Sequence, residues 1–179
     1  MKRTLVALLI AAGVAAGAAA AAEPLATVGN VDLARYAGQW HEVAKYPNRF
    51  QQQCVGDTTA TYGLRDDGDV AVLNRCRTRD GYDEVSGVAR RVDGRTDRLQ
   101  VSFLPAALRW LPFGWGDYWV IELAPDYRYA VVGEPSRQYL WVLSRTPGLA
   151  PEDRRAIEAR LPGHGYDPAR LVDSLPGKN

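Results

Sequence analysis

Residue types able to carry covalent chemistry are scarce in this chain. It holds two cysteines, Cys54 and Cys76, and two histidines, His41 and His164. An even pair of cysteines in an exported protein is expected to form a disulfide, which removes the thiolate nucleophile. No Ser–His–acid set is visible, so nucleophilic catalysis has no obvious carrier. No His/Cys cluster has metal-ligand spacing. The Asp66-Asp67-Gly68-Asp69 run lacks the later ligands of a calcium loop and reads as a hairpin turn. Haem would need an axial His, Cys, Met or Tyr inside a cavity, and the single methionine is the initiator. Neither a metal nor a cofactor is expected. The remaining reactive candidates are carboxylates, Glu42 and Glu122, whose role depends on which way their strands face them.

The elements that position these groups are mostly strands. Strand-like runs fall at 38–47, 54–64, 69–77, 82–91, 97–104, 117–124, 128–134 and 138–145. Turn residues separate them, notably Asp66-Asp67-Gly68, Asp93-Gly94-Arg95 and Ala124-Pro125-Asp126. Eight short strands in succession predict a meander that closes into a barrel or a sandwich. One helix follows at 151–162, opened by Pro151 with Glu152 and Asp153 in its first turn and stopped by Pro162-Gly163. The last strand is apolar on both faces, as a strand covered outside by that helix would be.

The chain of 179 residues is one domain's worth. Its start, Met1-Lys2-Arg3 followed by the apolar run Leu5–Ala22, reads as a secretory signal at 1–22, removed near Glu23. The domain is then 23–179. With no cysteine near the cleavage point, a soluble exported protein, periplasmic or secreted, is expected rather than a lipid-tethered one. Loss of Lys2 and Arg3 takes the formal charge from +1 to −1. No basic patch suggests nucleic acid.

Three stretches together resemble the lipocalin family. Gly38-Gln39-Trp40 matches its Gly-x-Trp motif, within LARYAGQWHEVAKYPNRF. Gly116 to Val132, with Asp126-Tyr127 at the turn, resembles the second motif, and Leu140 to Arg145 the third. The likeness spans about 30–175 and is nearest to bacterial and apolipoprotein-D-like lipocalins. It implies an all-β fold: an eight-stranded antiparallel up-and-down β-barrel with one C-terminal α-helix packed outside. It also implies binding of a small hydrophobic ligand rather than catalysis. The family uses Trp40 and Arg145, with Gly38, as a barrel plug. Both fall at the end closed by tight turns, so Arg145 is expected to stack on the Trp40 ring.

Reading the inward phase strand by strand gives a mostly apolar lining with a few hydroxyls and amides. The candidate ligand contacts are Glu42, Ala44, Tyr46, Tyr62, Val72, Asn74, Phe103, Tyr118, Val120, Tyr139 and Trp141, with Tyr129 and Val131 also read as inward. Ala44, Ala60, Gly87 and Ala89 leave volume inside. Such a lining suits an apolar tail with one polar head group, a fatty acid or lysophospholipid. A buried carboxylate must be paired or protonated, so Glu42 and Glu122 are expected either to pair with Arg145, the favoured reading, or to contact a ligand head group. Cys54 and Cys76 both fall at the open end, where a bulge near Gly56 would bring them into register. The connection 105–116 carries Leu108, Trp110, Leu111, Phe113 and Trp115 at the barrel mouth. It reads either as a lid or membrane contact, or as core folded over the barrel. Two rival functions are a lipid-modifying enzyme using an inward carboxylate, and a filled barrel acting as a protein-interaction module.

Overall fold

The computed structural model describes residues 23–174, so the predicted leader at 1–22 lies outside the described residues. A one-turn helix α1 (Leu33–Tyr36) precedes β1 (Gly38–Lys45). There follow β2 (Gly56–Leu64), β3 (Val70–Arg77), β4 (Tyr82–Arg91), β5 (Arg98–Ser102), β6 (Gly116–Leu123), β7 (Tyr129–Gly133) and β8 (Leu140–Ser144). Helix α2 (Pro151–Arg160) and a two-residue strand β9 (Val172–Asp173) complete the chain.

Each strand pairs antiparallel with the next, and β1 pairs with both β8 and β2, so the sheet closes into an eight-stranded barrel. Its N-terminal half holds β2 through Gly38–His41, and its C-terminal half holds β8 through His41–Lys45. Where β2 diverges, β9 pairs with Ala44 and Lys45 and covers the freed edge.

The alternation of residue types sets how each strand is buried. In β3, Val70, Val72 and Cys76 are buried while Ala71, Leu73 and Arg75 are exposed, the pattern of a strand covered on one face. All five residues of β7 are buried because α2 covers its outer face. Helix α2 docks through Ile157, with Leu161 just beyond its end, and Arg–carboxylate pairs flank these contacts: Arg128 forks onto Asp153 at 2.7 and 2.8 Å, and Arg160 holds Glu122.

Two bulges correct the strand phase expected from strict alternation. The β1–β8 register slips between Glu42 and Ala44, and the β6–β7 register slips between Val120 and Glu122. An extra residue reverses the face of everything after it. Ala44 and Tyr46, expected inside the barrel, therefore pack outside it in the cluster beneath α2. Glu122 likewise turns outward. In β7 the inward residues are Ala130 and Val132, and Tyr129 and Val131 belong to the outer cluster.

Candidate ligand cavity

The barrel encloses a cavity of about 780 Å³ open at one end. Its floor is built by α1 and the plug. Asp32 caps α1 by accepting the N–H groups of Ala34 and Arg35. That turn sets Tyr36 above Trp40, with ring centroids 4.8 Å apart, and the Trp40 Nε1–H donates to the Tyr36 carbonyl at 2.8 Å. Beneath, the Arg145 guanidinium lies 3.9 Å from the Trp40 centroid and donates to the carbonyls of Gln39 and Arg35 at 3.0 and 2.6 Å. Gly38 has φ +94°, a backbone conformation that favours glycine, and a Cβ there would only touch Arg145 Nη1 at 3.4 Å.

Three phenols face the floor. Tyr118 Oη is 2.7 Å from Tyr36 Oη and 2.9 Å from Tyr62 Oη. Burial pushes all three above the ordinary phenol range, Tyr62 to about 12, so they remain neutral. The wall above is apolar, with Val70, Val72, Ala89, Leu99, Val101 and Leu143. Asn74 interrupts it, its Oδ1 buried without a hydrogen-bond partner among the described residues. The Phe103 ring occupies the space that Gly87 leaves, so that glycine adds no volume to the cavity.

Polar groups ring the upper wall and are held by protein partners. Glu42 accepts from Lys45 at 2.9 Å and from Gln51 and Ser174. Gln51 Oε1 in turn accepts from Trp141 Nε1 at 3.1 Å, tying the β1–β2 connection to the wall. Glu134 accepts the backbone N–H groups of Ser136, Gln138 and Tyr139, which shapes the β7–β8 turn. At the mouth, Cys54 and Cys76 form a disulfide with Cα atoms 5.5 Å apart. The β2–β3 register slips between Gly56 and Thr59, close to where the cysteines required it.

The connection between β5 and β6 does not fold into the core. Two short 3-10 turns, Ala106–Leu108 and Pro112–Gly114, hold it, and Trp115 Nε1 donates to the Arg109 carbonyl at 2.7 Å. Trp110 and Phe113 are left 76% and 80% exposed, and Phe113 also edges the cavity.

Against known proteins, the model of the lipocalin-like domain matches residues 31–175. The chain belongs to the lipocalin family. This lipocalin is 39% identical over 147 residues to temperature-induced lipocalin-1 of Arabidopsis thaliana, covering 80% of this chain and 78% of that protein. It is 36% identical over 153 residues to the outer membrane lipoprotein Blc of Escherichia coli K12, covering 81% and 79%. Among solved structures, insecticyanin from the tobacco hornworm Manduca sexta superposes with a TM-score of 0.66 at 19% identity, covering 87% of this chain and 86% of that one. That likeness concerns the fold. The lipocalin family binds small hydrophobic ligands.

The lipocalin brings most of the expected contacts to one cavity: Glu42, Tyr62, Val72, Asn74, Phe103, Tyr118, Tyr139 and Trp141 all line it. Ala44 and Tyr46 do not, because of the β1 bulge. Val120 points inward but is packed among the residues around the plug and stays off the cavity surface. The expected pairing of Glu42 and Glu122 with Arg145 is also overturned. Glu42 is held by Lys45, Gln51 and Ser174, and Glu122 meets Arg160 and, at 3.6 Å, His164 on the outer face. Arg145 serves backbone carbonyls instead.

Sequence reasoning missed the lining that comes from outside the strands. Tyr36 and Leu33 enter from α1, and Phe50 and Gln51 from the β1–β2 connection. A signal was available for the turn that carries Tyr36, since Asp32 is a helix-capping residue type just ahead of Leu33–Tyr36. No comparable signal marks Phe50 or Gln51.

Proposed function

We propose that this lipocalin carries or stores a single-chain lipid, a fatty acid or lysophospholipid, in the barrel and does not transform it. The observation that carries this reading is the open cavity of about 780 Å³, within the roughly 300–1,000 Å³ of small-molecule sites, with apolar walls and few polar groups. A barrel filled by its own side chains would have no such space. Tyr62, Val72, Asn74, Phe103, Tyr118, Tyr139 and Trp141 are the proposed ligand contacts, with Glu42 at the margin. Carriage without catalysis is favoured by the disulfide, which leaves no thiolate, and by the partners that already hold Glu42.

The setting proposed is the cell envelope or the medium, after removal of the 1–22 leader. Bacterial relatives are named outer membrane lipoproteins. The disulfide that joins Cys54 to Cys76 supports an untethered protein in this setting. The exposed Trp110 and Phe113 support transient contact of the 105–116 connection with a membrane during transfer.

Organic extracts of the purified protein, analysed by mass spectrometry, test the reading, followed by titration of tryptophan fluorescence with hexadecanoate and a lysophospholipid. A stoichiometric lipid and saturable one-site quenching are expected. An empty protein that responds to neither would return the barrel to a protein-interaction role.

A further inference from the structure

The three floor phenols present a hydrogen-bonding imbalance. Tyr36, Tyr62 and Tyr118 carry three O–H protons but share only two hydroxyl–hydroxyl hydrogen bonds. Among the described residues their hydroxyls have no other partner. Whichever way the chain of donors runs, one O–H is left without an acceptor. An unmet buried donor is costly, so the arrangement invites an acceptor from outside the protein. Tyr118 sits at the middle of the three and is the least buried of them. Tyr62 lies opposite Val72 in the β2–β3 register, and Asn74, one inward step nearer the mouth, offers a second group with an unmet oxygen.

The floor is polar but not cationic. Arg145, the nearest positive charge, is screened behind the Trp40 ring and donates to two carbonyls. Arg49 lies at the far end, in the β1–β2 connection. A carboxylate driven to the floor would be buried without a counter-charge, which is unfavourable. A methyl end there would leave the free O–H unmet. A hydroxyl or carbonyl fits both demands.

We propose that Tyr36, Tyr62 and Tyr118 form a second polar subsite at the cavity floor, which takes an uncharged oxygen function on the buried end of a lipid whose charged end stays at the mouth. The inference rests on the lipid-carrying reading above and narrows it to chains oxygenated at or near the far end. Because burial holds the phenols neutral, they act as donors throughout the neutral pH range.

The test compares three probes by tryptophan quenching of the purified protein: an unsubstituted fatty acid, its ω-hydroxy analogue, and the α,ω-diacid, each over a series of chain lengths. At the best-fitting length the ω-hydroxy acid is expected to bind about tenfold more tightly than the fatty acid, the effect of one added hydrogen bond to a buried group. The diacid is expected to bind more weakly than either. In the Tyr36→Phe/Tyr62→Phe/Tyr118→Phe variant the ratio of ω-hydroxy acid to plain fatty-acid affinity should fall to about one, whatever the change in absolute affinity for either. Equal affinity for methyl and hydroxyl ends at every length overturns the subsite, as does a preference that survives in the triple variant. The wild-type comparison stands whether or not that variant folds. Binding of none of the probes would instead overturn the lipid-carrying reading itself.

Discussion

Two apolar clusters share the strands β1, β6, β7 and β8, one on each face. The outer cluster joins Ala44, Tyr46, Ile121, Val131 and Val142 to Ile157, Leu161 and Tyr166. The inner one gathers Trp40, Tyr62, Val72, Leu99, Val132 and Leu143 around the plug and the cavity wall. Their tyrosines are used differently. Outside, Tyr46 donates to the Asp167 carbonyl at 2.7 Å, and Tyr166 accepts the Glu134 N–H at 2.9 Å and donates to the Glu134 carbonyl at 3.1 Å. Inside, Tyr36, Tyr62 and Tyr118 bond only to one another. The outer face is closed by protein, so its phenols end on protein. The inner face is left hollow, and its phenols keep hydrogen-bonding capacity for something else. One sheet thus serves as a support on one side and as a receptacle on the other.

The same substitution made on each face probes this difference most directly. Leu161→Ala removes a side chain that is 0% exposed in the filled cluster and is expected to cost about 4 kcal/mol, read as a loss of denaturation midpoint, with ligand affinity unchanged. Leu143→Ala removes one that is 4% exposed but already borders the cavity, and should cost only about 2 kcal/mol while altering affinity and chain-length preference. Equal losses for the two would show that the inner face is as closely packed as the outer.

Asp97 tests the seam between the clusters. Leu25 belongs to the outer cluster and Val31 to the inner one, and Asp97 accepts the Gly29 N–H between them at 2.8 Å. Burial pushes its carboxyl upward, but the Arg95 fork, at 2.7 and 2.9 Å, with Thr27 and Gly29 outweighs this and holds it down at about 2. A lowered carboxylate value stabilises the fold above the ordinary value near 4 and loses that contribution as pH falls through about 2. Asp97→Asn should therefore lower stability by about 2 kcal/mol at neutral pH, with the gap from wild type narrowing as pH falls from about 4 to 2. A gap constant across that range would mean the ion pair contributes nothing.

The smallest effect on stability is expected at the mouth. Trp110→Ser with Phe113→Ser should change stability by no more than about 0.5 kcal/mol, since both side chains are largely exposed. Transfer of a fluorescent fatty acid to lipid vesicles should slow all the same. Unchanged transfer would remove the membrane contact and leave these residues as part of the rim alone.

What was legible in the chain was whatever depends on local order. The strands, their turns and α2 follow from alternation, turn chemistry and a proline-led helix start, all of which act over a few residues. The plug was legible because Gly38, Trp40 and Arg145 lie at strand ends, before or after any bulge can change their phase. In β2 and β3, Tyr62, Val72 and Asn74 could be read as inward, because the one slip there falls near the mouth, between Gly56 and Thr59.

The faces of Ala44, Tyr46 and Glu122 were decided only by tertiary structure. A single extra residue at Val43 or Ile121 reverses all that follows, and it is defined only by the pairing with the neighbouring strand. The partners of the buried carboxylates were likewise beyond the sequence. Glu42 finds Ser174, 132 residues away, and Glu122 finds Arg160, 38 residues away. Such pairs are chosen by the closed barrel and the docked helix, because only the finished fold determines which charges are deprived of water together.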